Sequence, residues 1–249
     1  MKNAIKYILI GFIQGITEFL PVSSSGHIVL FGSLFELDNL LLISVVAHIG
    51  TLFAVLFCYR KRIVELIKKP NNPTNKNLII ATIPTVIIVL LFNTFLEENF
   101  STSTLIWGFL LSAIVLLIAD LKKEGNKKIS KKSSLYMGLT QGLALLPGIS
   151  RSGSTLTCGL LIGLDKKEAL DFSFLMSIPI ILASAVYETL KLFSCQITIN
   201  WIGIFIVMIS SFIFGILSIK IMLKIVNKNK LYFFSIYLIT LSLIILLFL

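Results

Sequence analysis

Six uninterrupted apolar runs, at about 40–59, 78–96, 104–120, 171–192, 200–222 and 231–249, constrain this chain more than any other feature. At 1.5 Å of rise per residue, a helix of about 20 residues crosses the roughly 30 Å of a bilayer's hydrocarbon core. The 249 residues are 56% hydrophobic and only 14% charged, with a mean hydropathy of +0.96. A soluble domain carries roughly 25% charged residues, so a water-soluble globular protein is excluded. Two further stretches, about 1–36 and 133–165, are apolar at both ends but interrupted by FLPVSSSGH at 19–27 and LPGISRSGS at 146–154. A Pro-Ser-Gly break cannot face lipid, because its freed backbone groups find no partners there. Each stretch is therefore expected to form two short helices joined by a loop that enters and leaves by the same side, sheltered by the six spans.

The net charge of +10 would suggest nucleic acid for a soluble protein, but here the basic residues lie between apolar runs, as in the cytoplasmic loops of a membrane protein. No nucleic-acid partner is expected. Arg60, Lys61, Arg62, Lys68, Lys69 and Lys76 follow the first span, whereas the next connection carries Glu97 and Glu98 and no basic residue. Lys122, Lys123, Lys127, Lys128, Lys131 and Lys132 follow the third span, Lys166 and Lys167 the second broken stretch, and Lys220, Lys224, Lys228 and Lys230 the fifth span; 193–199 has none. Only if both broken stretches are re-entrant do these clusters fall on one face. Cys58, Cys158 and Cys195 show no CxxC or Cys/His spacing, so neither a disulfide framework nor a zinc site is expected. Lys2 and Lys6 precede an apolar run that meets Gln14 and Glu18 without a small-residue cleavage pattern, so this start is assigned to the mature protein.

The broken stretches are copies of one another. Gln14-Gly15 matches Gln141-Gly142, and Ser23-Ser24-Ser25-Gly26 matches Ser150-Arg151-Ser152-Gly153, each pair 127 positions apart; Pro21 and Pro147 match with a slip of one residue. Residues 1–249 therefore form a single membrane domain of two repeats, 1–120 and 128–249, each a re-entrant hairpin followed by three spans. By the charge count the first hairpin enters from outside and the second from the cytoplasm. This inverted-topology arrangement is common among transporters and places the two loops face to face near the midplane. The expected fold is an all-α polytopic membrane protein with six transmembrane helices and two re-entrant helix-loop-helix hairpins.

Ionisable residues at membrane depth are costly and are candidates for function. Glu18, His27 and Arg151 sit in or beside the two breaks. If the loops meet, one site collects these three with the hydroxyls of Ser23, Ser24, Ser25, Ser150, Ser152 and Ser154. Both loops precede helices, whose N-terminal N–H groups suit a phosphate, and Arg offers a planar fork to phosphate oxygens. Plainer readings stand beside this one. Glu18 and Arg151 can serve as a structural ion pair between repeats, His27 as a capping residue, and the serines as caps and packing contacts. His48, inside the first long span, is read as a buried hydrogen-bonding residue.

QGITEFLPVSSSGH at 14–27 and LPGISRSGST at 146–155 resemble the paired signatures of the bacitracin-resistance family of undecaprenyl-diphosphatases, and HIGT at 48–51, ATIP at 81–84 and FSFLMSIP at 172–179 extend the likeness. The resemblance implies an integral enzyme of the bacterial cytoplasmic membrane that hydrolyses undecaprenyl diphosphate to the monophosphate and inorganic phosphate. Such an enzyme recycles the lipid carrier of cell-wall synthesis, confers bacitracin resistance, works at the outer face and uses a divalent cation such as Mg²⁺ or Ca²⁺. The family's first motif, Glu or Gln followed four positions later by Glu, falls on Gln14 and Glu18; its Ser/His portion falls on Ser24 and His27, and its basic position on Arg151. Glu18 is the implied metal ligand, while Gln14 replaces the second carboxylate that other members offer.

The residues and the resemblance together give catalytic assignments to Glu18, Ser24, His27 and Arg151. Substrate contacts are assigned to Gln14, Ser23, Ser25, Gly26, Ser150, Ser152 and Gly153. Ser24 is the candidate nucleophile, with His27 three residues later as its base and Glu18 orienting His27 or ligating the cation. Direct attack by water, with Ser24 only binding phosphate, is the other version. A secondary transporter or flippase of a polyprenyl phosphate lipid is the alternative from another class, because the architecture is a transporter's. A homodimer is compatible with either.

Overall fold

Eleven helices account for the described chain, a computed structural model that covers residues 2–35, 37, 39–98, 102–122, 124–192, 200–228 and 230–248. They are α1 Lys2–Phe19, α2 Ser24–Leu34, α3 Leu40–Cys58, α4 Arg60–Lys68, α5 Pro73–Glu98 and α6 Thr102–Asp120. After these come α7 Lys131–Leu143, α8 Arg151–Leu161, α9 Lys166–Leu192, α10 Trp201–Asn227 and α11 Tyr232–Phe248. Lys123, Cys195 and the 193–199 connection lie outside the described residues, as do the side chains of Lys2, Glu97 and Glu98. No strand occurs among the described residues, and Cys58 and Cys158 are free thiols.

Five helices, α3, α5, α6, α9 and α10, are long and apolar enough to cross a membrane. The chain is therefore a multi-pass membrane protein. The sixth expected span is α11, equally apolar but 17 residues long. Residues 60–69, read from sequence only as a basic cluster, include the short helix α4, one face of which buries Leu66.

Both apolar stretches break at a proline, Pro21 in the first and Pro147 in the second. Between α1 and α2 the chain turns at Pro21, with the Val22 amide donating to the Leu20 carbonyl at 2.8 Å. Between α7 and α8 it turns at Pro147-Gly148, and Gly148 takes φ +79°, a left-handed conformation that glycine adopts without steric cost. The freed backbone groups are satisfied from neighbouring elements. Ser112 of α6 accepts a hydrogen bond from the Ser150 amide at 2.9 Å, and Ser152 donates to the Leu20 carbonyl at 3.1 Å.

The helices pair in a pattern that follows the 127-residue correspondence of α1, α2, α3, α5 and α6 with α7, α8, α9, α10 and α11. α1 packs along α10, as α7 packs along α5; α10 packs on α3, as α5 packs on α9. The α3–α9 and α6–α11 pairs map onto themselves. The close crossings rest on small residues, which let helix backbones approach in a membrane. A Cβ on Gly138 of α7 would stand 2.1 Å from the Ala81 carbonyl oxygen of α5, a backbone atom that cannot step aside. Gly138→Val should therefore destabilise the fold by about 1–3 kcal/mol or more. A thermal midpoint in detergent equal to that of the parent protein would contradict this packing.

Candidate active site

The two breaks meet. The Ser152 bond to Leu20 joins them, a Cβ on Gly153 would lie 3.0 Å from Cβ of Pro21, and Arg151 reaches across to Glu18. Glu18 comes from the last turn of α1 and Arg151 from the first residue of α8, so the site draws its carboxylate from the first half of the chain and its guanidinium from the second. Their side chains are 4% and 14% exposed, a nearly buried ion pair whose desolvation each partner offsets for the other.

Every oxygen of the Glu18 carboxylate is engaged. Oε1 accepts from Nη2 of Arg151; Oε2 accepts from the Ser24 hydroxyl at 2.6 Å and from Nε2 of Gln14 at 2.9 Å. Gln14 lies one helical turn before Glu18 on the same face of α1, where a second carboxylate would repel the first and the amide instead donates to it. Nη1 of Arg151 is buried and has no acceptor among the described residues, and Oε1 of Gln14 is buried and has no donor among them. One arm of the guanidinium is thus committed and the other is free.

A cavity of about 480 Å³ opens above this pair, a volume within the range of small-molecule sites. Its polar wall includes Glu18, Ser23, Ser24, Ser25, Ser150 and Arg151; Ile28, Leu41, Leu145, Ile149 and Ile181 form much of its apolar wall. Gln14, Gly26 and Gly153 do not line it. Gly26 packs beside the Phe109 ring, and Gly153 donates its amide to the Ser150 hydroxyl, which caps α8 at 3.1 Å. Ser154 lies in the first turn of α8, its amide bonded to the Ser150 carbonyl at 2.8 Å. α2 begins differently: Ser23 makes no capping bond and takes φ 68°, a left-handed backbone that costs a residue with a Cβ about 1–3 kcal/mol. First-turn amides of α2 are thereby left without a side-chain cap at the cavity wall, where N–H groups favour an anion.

The two histidines exchange the places the sequence suggests. His27 does not line the cavity and does not bond Ser24. Its Nδ1 donates to the Ser23 carbonyl at 2.8 Å, Nε2 lies 2.6 Å from the Tyr237 hydroxyl, and the residue is 2% exposed. Both ring nitrogens are occupied, so the helical spacing that puts His27 three residues after Ser24 does not make it a partner of that hydroxyl. His48 does line the cavity: Nδ1 donates to the Ser44 carbonyl at 2.9 Å, and Nε2 stands 3.7 Å from Glu18 Oε2. It is a hydrogen-bonding residue, as read from sequence, but one whose second nitrogen faces the site. The signal available was its ionisable ring inside an apolar span. Glu188, which also lines the cavity, carried the same signal as a carboxylate in the apolar run 171–192, whereas Thr17, Ser44 and Ser184 carried none.

For a divalent cation the site offers hard oxygen donors, the Glu18 carboxylate and the buried, unpartnered Gln14 Oε1, which suit Mg²⁺ or Ca²⁺. Among the described residues no three His, Cys, Asp or Glu side chains gather closely enough to hold a metal by themselves. Two oxygen donors, one of them on Gln14 outside the cavity lining, do not make a metal site by themselves, so a cation here would depend on ligands from a phosphorylated substrate.

Comparison with known proteins places this geometry in context. Residues 7–244 match the model of a family described as "Bacitracin resistance protein BacA". The chain is 42% identical over 245 residues to an undecaprenyl-diphosphatase of Carboxydothermus hydrogenoformans, covering 94% of this chain and 93% of that one. It is 38% identical over 241 residues to undecaprenyl-diphosphatase 3 of Bacillus cereus, covering 94% and 93%, and 34% identical over 257 residues to an undecaprenyl-diphosphatase of Borrelia recurrentis, covering 96% and 97%.

Proposed function

Because the chain belongs to the bacitracin resistance protein BacA family, we propose that it hydrolyses undecaprenyl diphosphate to undecaprenyl phosphate and inorganic phosphate, returning the lipid carrier to cell-wall synthesis. The observation that carries this reading is Arg151, a nearly buried guanidinium at the cavity with one nitrogen on Glu18 and the other without an acceptor. A phosphate entering the cavity supplies the missing acceptor through a charge-assisted hydrogen bond.

In the mechanism we propose, the terminal phosphate lies against Arg151 and the uncapped amides of α2, which neutralise charge developing on the phosphoryl oxygens. The polyprenyl tail follows the apolar wall toward lipid. As the phosphate draws Arg151 from Glu18, the carboxylate becomes the base for Ser24, whose hydroxyl already donates to it at 2.6 Å. The Ser24 proton passes to Glu18, Oγ bonds to the terminal phosphorus, and the bond to the bridging oxygen breaks, releasing undecaprenyl phosphate. Glu18 gives its proton to the departing phosphate oxygen, and the freed carboxylate then takes one from the water that cleaves the phosphoserine and passes it to Oγ, giving inorganic phosphate and restoring Ser24 and Glu18. His48 orients Glu18 from the far side, and His27 holds the Ser23 turn. A divalent cation held by Glu18 and Gln14 Oε1 with the diphosphate would supply further charge neutralisation.

The site's placement supports a chain of six spans with two re-entrant hairpins in inverted repeats, set in the cytoplasmic membrane with the cavity toward the outer face. α3 begins at the cavity with Leu41, Ser44 and His48 and ends at the basic Arg60–Lys69 segment. α9 runs the other way, from Lys166 and Lys167 to Ser184 and Glu188 at the cavity. The basic clusters and the cavity thus lie at opposite ends of the same two helices, as the excess of basic residues in cytoplasmic loops requires of an outward-facing site.

Purified protein in detergent, given undecaprenyl diphosphate, should release inorganic phosphate, with a rate that rises on addition of Mg²⁺ or Ca²⁺. A folded preparation that binds the lipid without releasing phosphate would sink the phosphatase reading in favour of a carrier.

A further inference from the structure

The two loops at the site are homologous in sequence but are held in different ways. Ser150 caps its own helix and takes an ordinary extended backbone, with φ −79° and ψ 113°; its amide is tied to Ser112 of α6. Ser23, its counterpart 127 residues earlier, has φ 68° and no capping bond. A strained residue persists only where its surroundings determine it. What grips Ser23 is His27, whose Nδ1 donates to the Ser23 carbonyl, and what grips His27 is Tyr237 of α11, the helix that corresponds to α6. A neutral His27 that donates through Nδ1 has only a lone pair at Nε2, so the Tyr237 hydroxyl is the donor across 2.6 Å. Phe109 meets the edge of the imidazole at 5.7 Å between ring centroids, leaving the ring little freedom to turn.

We propose that Tyr237 is a positioning residue for the reaction, fixing through His27 the strained Ser23 turn that presents Ser24 to Glu18. Each loop is then set by a hydroxyl from the last helix of the other repeat: Ser112 for the Arg151 loop directly, Tyr237 for the Ser24 loop through an imidazole. Tyr237 touches no substrate, and its hydroxyl is the part that matters. The inference rests on the Ser24 chemistry proposed above.

The test is Tyr237→Phe, which keeps the ring and removes the hydroxyl, beside His27→Asn, which keeps a donor near the Nδ1 position, and the double variant. Undecaprenyl diphosphate turnover, thermal midpoint and hydrogen exchange of peptides covering residues 19–27 are measured on each. Tyr237→Phe should lower kcat about tenfold with KM within about twofold and the thermal midpoint within about 2 °C, amounting to about 1.4 kcal/mol in the barrier. Exchange should quicken in residues 19–27 alone, and adding Tyr237→Phe to His27→Asn should change nothing further. Unchanged kcat, unchanged exchange at 19–27, or additive losses that track a lowered thermal midpoint would each overturn the proposal. If the parent protein releases no phosphate, the phosphatase reading falls, while the exchange data still decide whether Tyr237 holds the turn.

Discussion

Arg151→Ala should lower kcat for undecaprenyl diphosphate by about 10³-fold, the scale on which a transition-state guanidinium acts in phosphoryl transfer. The same substitution should cost about 3–5 kcal/mol of stability, because it leaves the Glu18 carboxylate buried without its counter-charge. A bare activity loss would therefore be ambiguous between a phosphate clamp and a structural ion pair. Adding Glu18→Gln separates the two, since a neutral amide removes the orphaned charge while restoring no guanidinium. The double variant should recover most of the thermal midpoint and none of the activity. Recovery of turnover together with stability would reduce the Glu18–Arg151 pair to scaffolding.

Ser24→Ala and Glu18→Gln should each lower kcat by about 10²–10⁴-fold, the range over which a positioned base contributes. Ser24 and Glu18 share one short hydrogen bond and act as a unit, so the double variant should be no worse than the more damaging single change. Rapid quench of the parent enzyme with substrate labelled in its terminal phosphate should trap a phosphoserine, and Ser24→Ala should trap none. Label from water appearing in released phosphate without any protein adduct, and a Ser24→Ala enzyme that keeps most of its turnover, would establish direct attack by water.

Much of this site was legible in the sequence because cost made it so. A carboxylate and a guanidinium inside apolar stretches have few explanations other than one another and a ligand, and the repeated Ser-Gly breaks marked where the chain could leave the helix. Periodicity could not reveal which way a side chain turns at a strained residue. Three residues of helix separate Ser24 from His27, yet the left-handed backbone at Ser23 brings its carbonyl to His27 and leaves Ser24 to Glu18. His48 was hidden for the opposite reason: within a regular helix it resembled a satisfied core residue, and only the approach of α1 to α3 gives its Nε2 a carboxylate to face. The short helix α4 followed from basic residues at the membrane edge that alternate with Ile63, Leu66 and Ile67, a pattern easily read as loop.

The two halves of the chain pair their helices alike but do not share a chemistry. At the positions 127 residues from Glu18, His48 and Arg151 stand Leu145, Leu175 and Ser24. A pair of first repeats would set each Glu18 against a serine, and a pair of second repeats each Arg151 against a leucine, leaving in either case a buried charge without its counter-charge. Only unlike halves close the cavity with opposite charges in register. The Glu18–Arg151 contact therefore works as a lock and key between the halves, selecting the one pairing that is also competent for hydrolysis.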